Sequence, residues 1–392
     1  MENPTKRNLD MEEEEAKGDD QISAKRPKTE KCTIRSSNLA TSLPLLERDG
    51  RSITTLCVEY RLTGIRLLLD AIVKYCGDNI TAMELICDYP HEERRNTTEF
   101  KEGIVHFRTF LRDFHSRFPN LSELKIAYQQ KPDPADIKHW DEIIKNFPML
   151  RSFAIRRCPK FPLEDFFRVN GQLERLTLEN STEWRIERDF LETMDELLPS
   201  LNYLDMEFVN AHRPMYAQPF GQTYFKNLQT LKVYSHNKEH SNVLRFLSPS
   251  ANKLEKFVFL VTGNLDEKVM KMLSYYKQLK QLEFRTCLTN LQLLVLSAQV
   301  PQIETLTMSF TKRAVTGLGI VKLIDDCKRL TKIVMHPEFK VYDDDIKALC
   351  KPINNKLKEN VWTVDNEDGS ITITKKGAKS SGTVASTSKA NV

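Results

Sequence analysis

Glycine and proline are scarce in this chain, with 13 and 17 positions among 392 residues. Together with 40% hydrophobic and 29% charged residues, this composition excludes a collagen-like chain and a wholly disordered one. No apolar run approaches the ~18 residues of a membrane-spanning helix. The N-terminus also lacks the apolar core of a secretory signal. We therefore expect no membrane association and a location in the nucleus, the cytoplasm or both.

The sequence also has a small net charge and no cysteine motif. The 58 basic and 54 acidic side chains leave a formal charge of +4, which disfavours nucleic acid as a partner. The eight cysteines are scattered, without a C-x-x-C pair or a histidine at zinc-like spacing. In a chain without an export signal they are expected to be reduced thiols.

Catalytic motifs are absent as well. The sequence contains no G-x-S-x-G, P-loop, G-x-G-x-x-G or H-E-x-x-H pattern. We therefore expect a protein that is not an enzyme, with no catalytic residues, no cofactor and no metal site. The alternative is an enzyme whose titratable pair is brought together only by the fold.

One apolar signature recurs along the chain: L-x-x-L-x-L, with Ile, Phe, Met or Val also accepted. Successive signatures begin 23 to 29 residues apart, apart from one interval of 41. This period is that of leucine-rich repeats, whose units measure ~20–29 residues. The eleven signatures are Ile53-Leu56-Val58, Ile80-Met83-Leu85, Leu121-Leu124-Ile126, Leu150-Phe153-Ile155, Leu173-Leu176-Leu178, Leu201-Leu204-Met206, Leu228-Leu231-Val233, Leu254-Phe257-Phe259, Leu279-Leu282-Phe284, Ile303-Leu306-Met308 and Leu330-Ile333-Met335.

Each repeat is predicted to contain a strand and a helix. The last two signature residues are two apart, as on one face of a strand. The segments between signatures carry apolar residues at steps of three and four, which is typical of amphipathic helices. Stacked units would bury a continuous core between a parallel sheet and a helical layer, so we predict an α/β leucine-rich repeat solenoid of about 11 repeats. The predicted helices are Ile65–Tyr75, Ile104–Phe114, Pro134–Lys145, Ile186–Leu197, Leu265–Tyr275, Leu288–Ala298, Val315–Asp326 and Ile346–Lys356.

The ends of the chain differ from the repeats. Residues 1–42 hold few large apolar side chains and are predicted to be disordered, ahead of a solenoid over residues 43–360. Residues 361–374 read as a capping hairpin and residues 375–392 as a flexible tail. Two insertions, 88–103 and 209–223, are predicted to be loops that contribute to binding. In the second, the alternative is that Met215, Tyr216 and Phe220 pack back on the repeats in place of a helix.

Several repeat entries resemble known sequences. The helix-bearing repeats over roughly residues 50–360 resemble the ribonuclease-inhibitor and F-box types of leucine-rich repeat. The resemblance to insect F-box/leucine-rich-repeat proteins lies in the stretch Arg51–Leu56, the turn Cys76–Ile80 and the entries Phe118–Leu121 and Leu198–Leu201. The resemblance implies that the repeats bind a protein substrate. It also implies an F-box that holds the adaptor of a cullin-type (SCF) ubiquitin ligase, but only Leu43–Leu46 matches the opening of that module.

The first predicted strand, around 53–60, would then be an open sheet edge. Three arrangements would cover it: Leu43–Leu46 folded over it, a partner protein, or a preceding part of a longer relative.

The proposed binding site is the concave face of the sheet. Aromatic and arginine side chains on a rigid curved sheet are typical of protein-binding hot spots. The alternative is that scattered polar and aromatic residues on an exposed sheet have no special role. The residues predicted to line this face are Arg156, Arg157, Arg175, Tyr203, Asp205, Glu207, Phe208, Lys232, Tyr234, Glu283, Arg285 and Phe310.

A short basic pattern lies near the N-terminus. Lys25, Arg26 and Lys28 flank a proline and match the basic segments read by nuclear import receptors. The alternative is a solvated charge run. We predict nuclear import through these residues.

Overall fold

The computed structural model of this chain describes residues 31–61, 65–87, 97–129, 149–158, 161–179, 188–208, 225–235, 253–261, 265, 267–311, 314–337, 343–357, 362–367 and 370–377. The predicted import residues Lys25, Arg26 and Lys28, the predicted helix Pro134–Lys145 and the insertion 209–223 lie outside these ranges.

Strands recur once per repeat along the described chain. They are β1 (Lys31–Arg35), β2 (Thr55–Tyr60), β3 (Ala82–Cys87), β4 (Glu123–Tyr128), β5 (Ser152–Arg156), β6 (Arg175–Glu179), β7 (Tyr203–Phe208), β8 (Thr230–Ser235), β9 (Lys256–Val261), β10 (Gln281–Cys287), β11 (Thr305–Phe310), β12 (Lys332–Pro337), β13 (Trp362–Glu367) and β14 (Ser370–Lys375).

Helices lie between the strands. They are α1 (Leu39–Asp49), α2 (Ile65–Cys76), α3 (Thr98–Arg112), α4 (Phe114–Arg117), α5 (Leu163–Val169), α6 (Arg188–Leu197), α7 (Glu267–Met272), α8 (Asn290–Gln299), α9 (Gly317–Asp326) and α10 (Asp343–Leu357). None of the helices in the described ranges is long and apolar enough to cross a membrane.

All 14 strands belong to one sheet, in which β1 to β12 are parallel and follow chain order. Every residue of the eleven signatures is buried. The middle signature residues pair with one another across the sheet, as in Leu176 with Leu204 and Leu204 with Leu231. Their side chains therefore stack into one continuous core under the helices. The fold is the predicted α/β leucine-rich repeat solenoid.

The N-terminal boundary differs from the prediction. Residues 31–42, expected to be disordered, contain β1 and the start of α1. Cys32 and Ile34 pair in register with Leu56 and Val58 and are buried beneath α1, where Leu46 is also buried. The unit is a further repeat strand. Its signature was missed because Thr29 and Cys32 occupy the first two signature positions, where the pattern accepts only Leu, Ile, Phe, Met or Val.

This unit covers the edge of β2 that was expected to be open. The hydroxyl of Ser42 in α1 accepts a hydrogen bond from the Arg35 amide at 3.3 Å and donates one to the Arg35 carbonyl at 3.1 Å. The helix that contains Leu43–Leu46 is thus fastened to the end of β1, and β1 pairs with β2 from Thr55 to Glu59.

The first insertion is shorter than predicted. The loop was expected to extend to residue 103, but α3 begins at Thr98. The Thr97 hydroxyl caps it by accepting a hydrogen bond from the Phe100 amide at 3.3 Å, and Phe100 is buried in the core. A capping threonine followed by a buried aromatic residue is enough to start the helix early.

At the C-terminal end, β13 and β14 form an antiparallel hairpin. Strand β14 pairs antiparallel with β12, so that Ile371 and Ile373 lie opposite Met335 and Ile333. Both isoleucines are buried, so the hairpin covers the apolar end of the last repeat.

Candidate protein-binding surface on the concave sheet face

The strand residues that alternate with the core residues form three rows across the sheet face opposite the helices. Pairing defines these rows directly. The first row contains Arg175, Tyr203 and Thr230, and the second contains Thr177, Asp205 and Lys232. In the third row Arg156 pairs with Glu179, and Glu207 pairs with Tyr234.

Four of these side chains form what we call the central cluster: Arg175, Tyr203, Asp205 and Lys232. The Arg175 guanidinium carbon lies 4.0 Å from the centroid of the Tyr203 ring, and the Lys232 ammonium nitrogen lies 5.4 Å from it. The Tyr203 hydroxyl donates a hydrogen bond to Asp205 Oδ2 at 3.1 Å, and Lys232 Nζ lies 3.5 Å from the same oxygen. Two cations and a carboxylate therefore hold one aromatic ring in place.

Asp205 is the most buried member of the central cluster. Its side chain is only 7% exposed, and its Oδ1 atom is buried without a hydrogen-bond partner among the described residues. We had expected Asp205 to project onto an exposed surface. It does lie on the concave face, but beside Tyr203 and Lys232, which shield it from solvent.

Burial also changes the acidity of this group. It raises the pKa of Asp205, an effect that the Glu179 carboxylate strengthens and the Lys232 ammonium opposes. Burial, together with the Asp205 charge, raises the pKa of Tyr203, and burial raises that of Tyr234. Both phenols are therefore neutral at physiological pH, and that of Tyr203 donates its one hydrogen bond to Asp205.

The cluster is flanked by a further ion pair and an aromatic side chain. Arg156 Nε lies 3.5 Å from Glu179 Oε2, with both side chains partly exposed. Tyr234 and Glu207 are half-buried in the third row. Glu179 was not among the predicted residues, although alternation with Leu178 and pairing beside Arg156 place it on this face.

The remaining predicted residues are more dispersed. Glu283 and Arg285 lie on the concave face of β10, where Arg285 Nε is 3.9 Å from Glu283 Oε1. Arg157 follows the end of β5 with a positive φ of 55°, and its guanidinium donates a hydrogen bond to the Gln129 carbonyl at 2.7 Å. Arg157 therefore stabilises the loop at the end of the strand and does not lie at the centre of the concave face.

Phe310 was assigned to the wrong side. It is 2% exposed and follows Leu306 and Met308 at two-residue steps, so it belongs to the core. The side chain of Phe208, which follows Met206 by two residues on β7, lies outside what the structure describes.

The arrangement is suited to recognition by hydrogen bonds and aromatic contact. Within the described ranges, no group of three or more His, Cys, Asp or Glu side chains is placed to hold a metal ion. The sheet order, the helical layer and the repeated register define a leucine-rich repeat solenoid with a polar and aromatic concave centre.

Comparison with known proteins adds little to this definition. No protein-family model matches the chain, and no curated protein sequence matches it significantly. A solved structure of similar fold is that of the Rad7–Elc1 complex from yeast, at 13% identity and a TM-score of 0.38, covering 76% of this chain and 82% of that one.

Two further structures resemble it more loosely. The Toll–Spätzle complex from Drosophila gives 11% identity and a TM-score of 0.28, covering 82% of this chain and 52% of that one. The TLR13–ssRNA13 complex gives 13% identity and a TM-score of 0.34, covering 82% of this chain and 53% of that one. The chain thus spans about half the length of these two. The fold assignment depends on the observed sheet and register, not on these scores.

Proposed function

We propose that the protein is a non-enzymatic recognition solenoid that binds a protein partner through the centre of its concave face. The observation that supports this most strongly is the central cluster, in which Arg175 and Lys232 flank Tyr203. Tyrosine and arginine held rigid at the centre of a surface are the residues that most often dominate binding energy. Rigid side chains also lose little conformational entropy when a partner binds.

The charge distribution favours protein over nucleic acid as the partner. Asp205, Glu179 and Glu207 lie among the cations of the second and third rows and would repel a phosphate backbone. A polar protein surface with charges of both signs matches such a face.

Proximity labelling in cells tests the proposal. The full chain fused to a labelling enzyme is compared with the double variant Tyr203→Ala/Tyr234→Ala. If the tyrosines are anchors, partner affinity falls by roughly 2–4 kcal/mol and the specific neighbours disappear.

The matched control is Tyr275→Ala, which removes an exposed tyrosine from the helical side of the solenoid. The control is expected to keep every neighbour. If the double variant stays folded and also keeps every neighbour, the concave centre is not the binding surface.

Participation in a ubiquitin ligase stays a prediction from sequence resemblance. Leu43 and Leu46 lie in α1, where Leu46 is buried and Leu43 is partly buried against the solenoid core. In this position they cap the repeats. Co-purification of a cullin and its adaptor with the full chain would support a ligase role, and their absence from a deep pull-down would remove it.

A further inference from the structure

We propose that the first row of the concave face binds an extended acidic segment of the protein partner, with one carboxylate at each of Arg175, Lys256 and Lys332. This inference rests on the proposed function, since it names the chemistry of the partner that the concave face recognises. We call these three side chains the cationic row.

Most cations in the second and third rows form an ion pair with a carboxylate on a neighbouring strand. Arg35 contacts Glu59 at 2.6 Å, Lys125 contacts Glu84 at 2.8 Å, and Arg156 contacts Glu179 at 3.5 Å. Lys232 contacts Asp205 at 3.5 Å. The second and third rows thus neutralise themselves through pairs on neighbouring strands.

The cationic row has no such pairs. Within the described residues, Arg175, Lys256 and Lys332 make no ion pair. Arg175 and Lys332 are exposed, and Lys256 is half-buried. From β5 to β12 the first row contains no carboxylate at all: its members are Ser152, Arg175, Tyr203, Thr230, Lys256, Gln281, Thr305 and Lys332.

Two of the carboxylates that precede the row in sequence already form ion pairs. Glu174 precedes Arg175 in sequence, but its Oε1 lies 2.6 Å from the Arg151 guanidinium. Glu255 precedes Lys256, and its Oε1 lies 3.0 Å from Lys280 Nζ. The donors between the cations are hydroxyls and an amide, which can accept and donate hydrogen bonds to a peptide without adding charge.

Arg175 is also pre-oriented for an anion. Its guanidinium stacks on the Tyr203 ring at 4.0 Å, which fixes its plane, and no carboxylate of the described residues pairs with its N–H donors. A fixed guanidinium can bind a carboxylate through two parallel hydrogen bonds.

The spacing of the row fits a peptide. Register places Lys256 three strands after Arg175, and Lys332 three strands after Lys256. At about 4.8 Å per strand, each interval is roughly 14 Å. An extended peptide rises about 3.3 Å per residue, so acidic side chains about four residues apart would reach all three cations. A nucleic acid carries one phosphate per strand every ~3.4 Å along its axis, which is much denser than this row.

The test uses fluorescence anisotropy of synthetic peptides with the full-length chain at low salt. The probe is tetramethylrhodamine-Glu-Ser-Thr-Ser-Glu-Thr-Ser-Thr-Glu-amide, and the comparison peptides have the same label. One comparison peptide has glutamine at all three glutamates, and another places the three glutamates side by side. The spaced probe is expected to bind about tenfold more tightly than the glutamine peptide and more tightly than the clustered one.

Two charge-matched variants locate the binding. Arg175→Gln/Lys256→Gln/Lys332→Gln should abolish the preference for the spaced probe. Arg35→Gln/Arg168→Gln/Lys322→Gln removes the same charge from paired cations outside the row and should leave the preference intact. The carboxylate partners of these cations do not adjoin the cationic row. Tyr203→Leu should weaken the probe severalfold, whereas Tyr203→Phe keeps the ring under Arg175 and should not.

The proposal is overturned by equal affinity for the spaced and glutamine peptides, by no binding up to about 1 mM, or by equal loss in both triple variants. Stronger binding of a single-stranded oligonucleotide through the cationic row would also overturn it. These outcomes leave the proposed function standing if partner capture still depends on Tyr203 and Tyr234. If the partner is still captured after both tyrosines are replaced, the proposed function is wrong, whatever affinities the peptides show.

Discussion

At the scale of the residue, Asp205 affects both the stability of the fold and the structure of the concave face. A buried carboxylate is costly unless its hydrogen bonds are satisfied, and here only Oδ2 has partners, from Tyr203 and Lys232. Alternation along β7 predicts that Tyr203 and Asp205 share a face. It does not predict how deeply each is buried, because depth depends on the size of side chains on β6 and β8.

Asp205→Asn is expected to alter how stability depends on pH. The folded-state pKa of Asp205 is raised above its ordinary value of 3.8. Between the two pKa values the unfolded carboxyl is ionised while the folded one keeps its proton, so rising pH favours unfolding. The free energy of unfolding of the wild type, relative to Asp205→Asn, should therefore fall across this window and then level off.

Urea unfolding of both proteins from about pH 3 to about pH 8 measures this difference. Below the ordinary pKa both states are protonated, so the difference should be constant there. A wild type that gains stability relative to Asp205→Asn as pH rises would show that the ion pair with Lys232 outweighs burial.

The wrong prediction for Phe310 also has its cause at the level of single residues. Phe310 lies one two-residue step beyond the signature Ile303-Leu306-Met308, because β11 continues past the signature. Strict alternation assigns it to the core, as observed. The signature therefore predicts the direction of the side chains correctly, but the strand extends beyond the last residue of the signature.

At the scale of the element, the unit of β1 and α1 terminates the solenoid. Its apolar side chains are few and widely spaced, so mean composition over residues 1–42 hides them. Only pairing with β2 shows that Cys32 and Ile34 continue the core. Terminal repeats are generally atypical in sequence, which is why periodicity predicts the middle of such a fold better than its ends.

Leu46→Ala is expected to loosen this end selectively. Removing a fully buried leucine costs about 2–5 kcal/mol. Because each repeat contacts only its neighbours, hydrogen exchange should accelerate in β1 to β3 and stay unchanged in β10 to β12.

Leu291→Ala provides the control, since Leu291 is 70% exposed on α8 and its loss should change stability by no more than about 0.5 kcal/mol. Uniform acceleration of exchange along the whole chain in Leu46→Ala would contradict a nearest-neighbour solenoid.

At the scale of the whole molecule, one sheet places residues far apart in sequence on a single face. The repeat period alone predicts this architecture, and the buried signatures confirm it. The self-neutralising pairs and the unpaired cationic row were not predictable from the period. They depend on exact register between neighbouring strands and on which rotamers bring opposite charges together.

We also propose nuclear import through the N-terminal basic pattern, which lies outside the described residues. Replacing Lys25, Arg26 and Lys28 with Ala should shift a fluorescent fusion of the full chain toward the cytoplasm. At 45.5 kDa plus the tag, passive entry is slow enough for the difference to be visible. An unchanged distribution would remove the import role of these residues.

Photo-crosslinking from the concave centre tests the central claim most directly. A photoreactive phenylalanine analogue replaces Tyr234 in one sample and Tyr275, on the helical side, in another. Irradiation of living cells should join the Tyr234 position to a discrete protein partner that the Tyr275 position does not capture. No crosslink from position 234, or the same products from both positions, would contradict recognition through the concave face.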